Sequence, residues 1–261
     1  RIVSGPSACD ARDGRVLLTR CRGPHYMFED LVVYDPLHRR HVQIPTIPGD
    51  LILSANEPKQ DGNNEAMTLD DPFLAPVADD EDEDDDEGFR VMWTALSKTK
   101  VVVALVFSSA SVQWRCVASF SNPSYAWTNI PKMWSRQYVH SCFCWTHEAA
   151  NDMLVFDTRE MKFSIADLPR KSAGKFKKAV EAGDGRLGLL LLSNHGHSAT
   201  VDLYSKAWQG ITQEPEEWQW QHDSPVPIPG FHLTMLAAVA EGYVLLRGIP
   251  AKQLKLWTRT Y

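Results

Sequence analysis

Asp13-Gly14-Arg15-Val16-Leu17-Leu18 is a tight turn that runs straight into an apolar strand, and the phrase returns twice along the chain. It reads Asp184-Gly185-Arg186-Leu187-Gly188-Leu189, then Glu241-Gly242-Tyr243-Val244-Leu245-Leu246. A second phrase, Leu31-Val32-Val33-Tyr34-Asp35-Pro36, is matched by Met153-Leu154-Val155-Phe156-Asp157-Thr158. Each is followed by a polar turn and a strand that ends at Ile44-Pro45 or Asp167-Leu168-Pro169. Glycine accepts the positive φ of a tight turn, and short apolar runs bounded by such turns are strands. Degenerate repetition of these units predicts an array of β-units, each covering its apolar faces against a neighbour. Asp13 and Asp184 are 171 positions apart, Asp184 and Glu241 57, one third as many. A repeat of that length exceeds one hairpin and suits four strands. The predicted fold is all-β: a β-propeller of antiparallel four-stranded blades, five or six in number, with room for strands supplied from upstream of Arg1.

Five units are legible. The first holds Arg15 to Thr19, Leu31 to Tyr34, and Val42 with Ile44. The second holds Phe89 to Trp93, Val101 to Phe107, and Val112-Gln113-Trp114. Tyr138 to Trp145, Met153 to Phe156 and Phe163 to Ile165 make a third. Lys178 to Leu192, Thr200 to Tyr204 and Glu217 to Gln221 make a fourth, and Phe231 to Trp257 a fifth. Ser172 to Ala182 is the one stretch with the pattern of a short helix. Residues 1–261 read as a single domain, with 50–88 an acidic, disordered loop insertion, because that segment carries too few large apolar side chains to be buried.

Hydrophobic residues make up 44% of the 261, enough for a substantial core. The longest apolar run, Val101 to Phe107, is too short to span a bilayer, so no membrane partner is expected. Net charge is −6, but residues 79–87 are all acidic. Removing those nine from the 33 acidic residues leaves 24 against 27 Lys and Arg, a body of about +3. Cysteines 9, 21, 116, 142 and 144 are odd in number and scattered, which predicts reduced thiols in the cytoplasm and/or nucleus. The first residues lack the apolar run of a secretory leader, and the absence of an initial Met predicts that the chain starts inside a longer protein.

Candidate catalytic and metal-binding patterns each have a plainer structural reading. Cys142-Phe143-Cys144 has a spacing narrower than zinc pairs use and reads as packed thiols. His195-Gly196-His197 lies in a polar hairpin and reads as a solvated turn. The acidic run lacks the ligand-Gly-ligand spacing of a calcium loop. It reads as a spacer or as a tether for a basic partner, and Arg170, Lys171, Lys175, Lys177 and Lys178 read as a wet basic surface. Asp35, Asp157 and Asp202 recur at matching places in their units, which points to side chains bonding local backbone rather than to a catalytic carboxylate pair. Neither a Gly-x-Ser-x-Gly elbow nor a phosphate-binding glycine loop is present. No catalytic residue, cofactor or metal is therefore expected, and the chain reads as a non-enzyme. Nucleic acid is not an expected partner either, because no basic stripe is interleaved with aromatics. Trp218, Trp220 and His222 alternate, so they share one strand face and read as a wedge between units. Trp127 and Trp134 in a Pro-punctuated connection, with Tyr26 and Phe28 in the loop after Cys21, are the candidates for contact with a protein partner.

The order and wording of these phrases carry a resemblance. Cys9 to Leu18, Leu31 to Pro36, Leu154 to Ile165 and Val180 to Gly188 together resemble the β-propeller region of plant, especially grass, F-box proteins, over nearly the whole chain outside the acidic insertion. What the resemblance implies is a substrate-recognition domain. Its F-box docks on the Skp1-type adaptor of a cullin-based ubiquitin ligase, and the propeller selects the target. No Leu-Pro-led helical F-box pattern occurs within these residues. A glycan-binding or glycan-hydrolysing β-propeller is the alternative from a different class.

Overall fold

The computed structural model describes residues 7–21, 28–54, 68–69, 71–76, 88–96, 101–121, 135–195, 198–208, 220–240 and 243–251. The chain divides into two compact units, Arg1–Lys132 and Met133–Tyr261.

In the first unit, β1 (Ser7–Arg12), β2 (Arg15–Cys21), β3 (Phe28–Asp35) and β4 (Arg40–Ile44) form an antiparallel sheet in chain order. Asp13 and Gly14, at φ 48° and 72°, make the two-residue turn between β1 and β2. Two positive φ values are what a right-twisted hairpin needs. The second sheet holds β7 (Arg90–Leu96), β8 (Val101–Ser108) and β9 (Gln113–Ser121). Two short strands, β5 (Thr68–Leu69) and β6 (Phe73–Ala75), both pair with β7 and share its fourth position. Alternate residues of the two sheets meet in one core. Leu17, Leu31, Val33 and Ile44 pack with Leu74, Phe89, Val91, Trp93, Val103, Leu105, Phe107 and Trp114. The period of two along each strand places these residues on one face.

In the second unit, β10 (Ser135–Val139), β11 (Cys142–Thr146), β12 (Asp152–Asp157) and β13 (Lys162–Asp167) form the third sheet. The fourth is β14 (Phe176–Glu181), β15 (Arg186–His195) and β16 (Ser198–Ala207), with β17 (Gln221–His222) and β18 (Val226–Pro229) both pairing with β16. The fifth has two strands, β19 (Phe231–Ala240) and β20 (Tyr243–Pro250). The fourth sheet is covered on both faces. Leu187, Leu189 and Leu191 meet the third sheet's Cys144, Met153 and Val155, while Leu190 and Leu192 meet Leu233 of the fifth. Burial on both faces explains why β15 reads as an unbroken apolar run. Gly188 sits where a Cβ has no room, because it would lie 2.6 Å from Val180 Cγ2.

The fold is thus all-β and β-propeller-like, as expected, and of the five antiparallel sheets among the described residues four are four strand positions wide and the fifth has two strands. Three local expectations are corrected. Tyr138 to Trp145 is not one strand: His140 and Ser141, at φ 48° and 62°, turn β10 back into β11. Ser172 to Ala182 is not helical. A 3-10 turn over Arg170–Ser172 precedes β14, whose Lys177, Ala179 and Glu181 alternate with Lys178 and Val180. The 50–88 segment is not wholly an insertion, since α1 (Gly49–Ser54), β5 and β6 fall in or across it and Phe73 and Leu74 are buried. The acidic residues 79–87 themselves lie outside the described residues. Of the strand expected over Glu217 to Gln221, only Gln221, which opens β17, lies in a described strand, and residues 217–219 lie outside the described residues.

Candidate functional site

The second phrase builds the same device in two sheets. At the β3–β4 hairpin Asp35 Oδ1 accepts the amides of Leu37 and His38, each at 3.0 Å. At the β12–β13 hairpin Asp157 Oδ1 accepts those of Arg159 at 2.8 Å and Glu160 at 3.0 Å. Such an Asx turn mimics a backbone turn. The His38 amide, then the His38 imidazole whose Nδ1 lies 2.6 Å from Oδ2, holds the Asp35 carboxyl below its ordinary value. Both carboxylates are engaged by their own hairpins, as the repetition predicted.

Asp202 departs from that reading. It lies in the middle of β16 opposite Leu191, not at a hairpin, and its partners are distant in sequence. Its Oδ1 is 3.2 Å from His222 Nε2 and its Oδ2 is 3.9 Å from Lys175 Nζ. The His222 ring stacks on Tyr204 with centroids 4.4 Å apart and 21° between planes. Burial, and then the Asp202 charge, raises the Tyr204 hydroxyl. The signal for this group was the alternation of Asp202, Tyr204 and Lys206, which puts three functional side chains on one face of one strand.

A second polar group joins the third and fourth sheets at the His140–Ser141 turn. Glu181 Oε1 accepts the His140 amide at 3.1 Å, and His140 Nε2 lies 3.0 Å from the Arg186 carbonyl. The Arg186 Nη2 donates to Ser205 Oγ at 3.0 Å and to Gln221 Oε1 at 2.8 Å. Neither glycine nor asparagine is present at this turn, so its left-handed backbone is held by these cross-sheet partners.

Cys142 and Cys144 are packed in the core between the third and fourth sheets. Burial, then the Asp157 charge, pushes the Cys142 thiol up to about 12, and burial raises Cys144 further. Thiols held in this way are poor nucleophiles and poor metal ligands. Among the described residues, no group of three or more His, Cys, Asp or Glu is placed to hold a metal ion. Lys177, read from sequence as part of a wet surface, is instead 4% exposed and donates from Nζ to the Ala150 carbonyl at 2.6 Å.

Of the partner-contact candidates, Tyr26, Trp127 and Trp134 lie outside the described residues. Phe28 opens β3 opposite Cys21, and its side chain lies outside them too. His197, Gly196 and Trp218 also fall outside. Trp220 packs against the core of the third and fourth sheets, as a wedge should, and its indole Nε1 donates to the Asp167 carbonyl at 3.1 Å. No helix among the described residues is long and apolar enough to cross a membrane.

No family model matches the chain, and no curated protein matches it. Among solved structures it is similar to a chain from a structural and mechanistic study of two prolyl endopeptidases, at 14% identity and a TM-score of 0.40. The match covers 88% of this chain and 30% of that one.

Proposed function

We propose that the chain is a non-catalytic, β-propeller-like platform that recruits a protein target for ubiquitination within a Skp1–cullin–F-box ligase. The observation that carries this reading is the ordered set of phrases resembling the propeller region of plant F-box proteins. The engagement of Asp35 and Asp157 in turn geometry supports it, because two of the three recurring carboxylates from which a glycan-hydrolysing pair would be drawn are bonded to their own hairpins. The chain supplies the receptor surface, an F-box elsewhere in the protein binds the adaptor, and the assembly works in the cytoplasm or nucleus. Tyr26, Phe28, Trp127 and Trp134 supply aromatic anchors for the target.

The test is binding of purified Skp1-type adaptor to the full-length protein and to residues 1–261. Adaptor bound by the full-length protein alone is the expected result, and adaptor bound by neither overturns the ligase reading. Trp127→Ala with Trp134→Ala is expected to weaken target capture with little change in thermal stability. A large loss of stability would instead place these two side chains in a core.

A further inference from the structure

One contact recurs, once in each compact unit. In the first, Trp114 near the start of β9, the outer strand of the second sheet, donates from its indole Nε1 to the Pro45 carbonyl at 2.7 Å. Pro45 is the residue that leaves β4, the outer strand of the first sheet. In the second unit Trp220, immediately before β17 on the outer side of the fourth sheet, donates to the Asp167 carbonyl at 3.1 Å. Asp167 ends β13, the outer strand of the third sheet. In both, an indole on the outer position of one sheet reaches the carbonyl where the preceding sheet ends. The phrases Ile44-Pro45 and Asp167-Leu168-Pro169 are the sequence marks of that exit.

The surroundings make both bonds count. Trp114 is 6% exposed, with ring centroids 5.7 Å from Phe107 and 6.2 Å from Trp93. The Trp220 ring lies under the Lys206 ammonium at 4.7 Å, and burial holds that ammonium below its ordinary value. The Trp114 N–H, withdrawn from water, must find an acceptor, and leaving it or the carbonyl unpaired is costly; the half-buried Trp220 keeps its bond nearer the solvent, beside the Lys206 contact. Each indole therefore couples the packing of two sheets to one directional bond, on either side of the point where the chain divides into units.

We propose that Trp114 and Trp220 are latches, each locking its own pair of sheets into one cooperative unit. The test is native-state amide hydrogen exchange on the intact chain with Trp114→Phe and Trp220→Phe, which keep a ring and remove the donor. Trp220→Phe is expected to speed exchange roughly ten-fold across β10–β17 and leave β1–β9 unchanged, and Trp114→Phe to do the reverse. Loosening of both halves by either variant overturns the proposal in favour of a single cooperative domain. No change in either half overturns the latch itself. Because Trp220 is the less buried of the two, its variant keeps the test readable should Trp114→Phe fail to fold.

Discussion

Replacing Lys177 by Met should flatten the rise of stability with pH. Lys177 is 4% exposed on β14, and burial pushes its ammonium down to about 8, with Asp152 and Glu148 only partly offsetting the effect. In the unfolded chain the group returns to its ordinary 10.5. Between those values the unfolded chain holds the proton and the folded chain has released it, so stability increases with pH through that window. Below about pH 8 both states are charged and the full cost of burying the ammonium stands. At about 1.4 kcal/mol per pH unit the gap is worth about 3 kcal/mol, of which about 2 kcal/mol is relieved between about pH 7 and pH 10. Lys178 and Lys206 are also held low by burial and act with the same sign, but they remain in the variant and cancel in the comparison. Urea denaturation of wild type and Lys177→Met at the two pH values measures the difference. A wild-type midpoint that gains on the order of 1 M relative to the variant is expected. Parallel pH profiles would refute the burial argument.

Three further outcomes are expected. Val112 holds φ 53° at a position 63% exposed, an outlier for a β-branched residue, so Val112→Asn should raise stability by about 1 kcal/mol in urea denaturation. Gly188→Ala brings a Cβ to 2.6 Å from Val180 Cγ2 and 3.2 Å from Leu203 Cδ1, and should lower stability by about 1–3 kcal/mol. A neutral Gly188→Ala would mean that β14 and β16 give way more easily than their packing implies. The Asn194 side chain donates to the Leu233 carbonyl at 2.8 Å and accepts the Leu233 amide at 2.9 Å. Asn194→Ala strands both and should cost about 2 kcal/mol, with faster exchange of the Leu233 amide while β10–β13 stay protected.

The blades were legible where turn chemistry is local. Asp13-Gly14 announces positive φ without help from the rest of the chain, and Asp35 and Asp157 find their partners within three residues. What escaped is held by distant partners. His140–Ser141 is a turn because Glu181 and Arg186 of another sheet secure it, so the sequence around it reads as one continuous strand. The start of β14 was missed, and its lysines read as surface, because solvation is the ordinary state of an ammonium, whereas Lys177 reaches a carbonyl in the β11–β12 connection. Phe73-Leu74-Ala75 is a three-residue apolar run between Pro72 and Pro76, too short to register as β6 although Phe73 and Leu74 are buried. Asp202 repeated a spacing without repeating the role, since its partners Lys175 and His222 are brought together only by the folded sheet. Of the aromatic residues chosen for partner contact, Tyr26, Trp127, Trp134 and the side chain of Phe28 fall beyond the described residues, so that choice rests on sequence alone.

The doubly covered fourth sheet also sets an order of events. Its hairpins join neighbours in sequence, β14 to β15 and β15 to β16, and therefore close with little loss of chain entropy. Within the second unit its two apolar faces meet one sheet formed before it in the chain and one formed after. A chain assembling its second unit should nucleate there and add the third and fifth sheets to the two faces. In kinetic terms, truncating Leu189 should chiefly slow folding, whereas truncating Leu246 on β20 should chiefly speed unfolding. Stopped-flow chevrons of the two variants distinguish this order from a nucleus at either end of the unit.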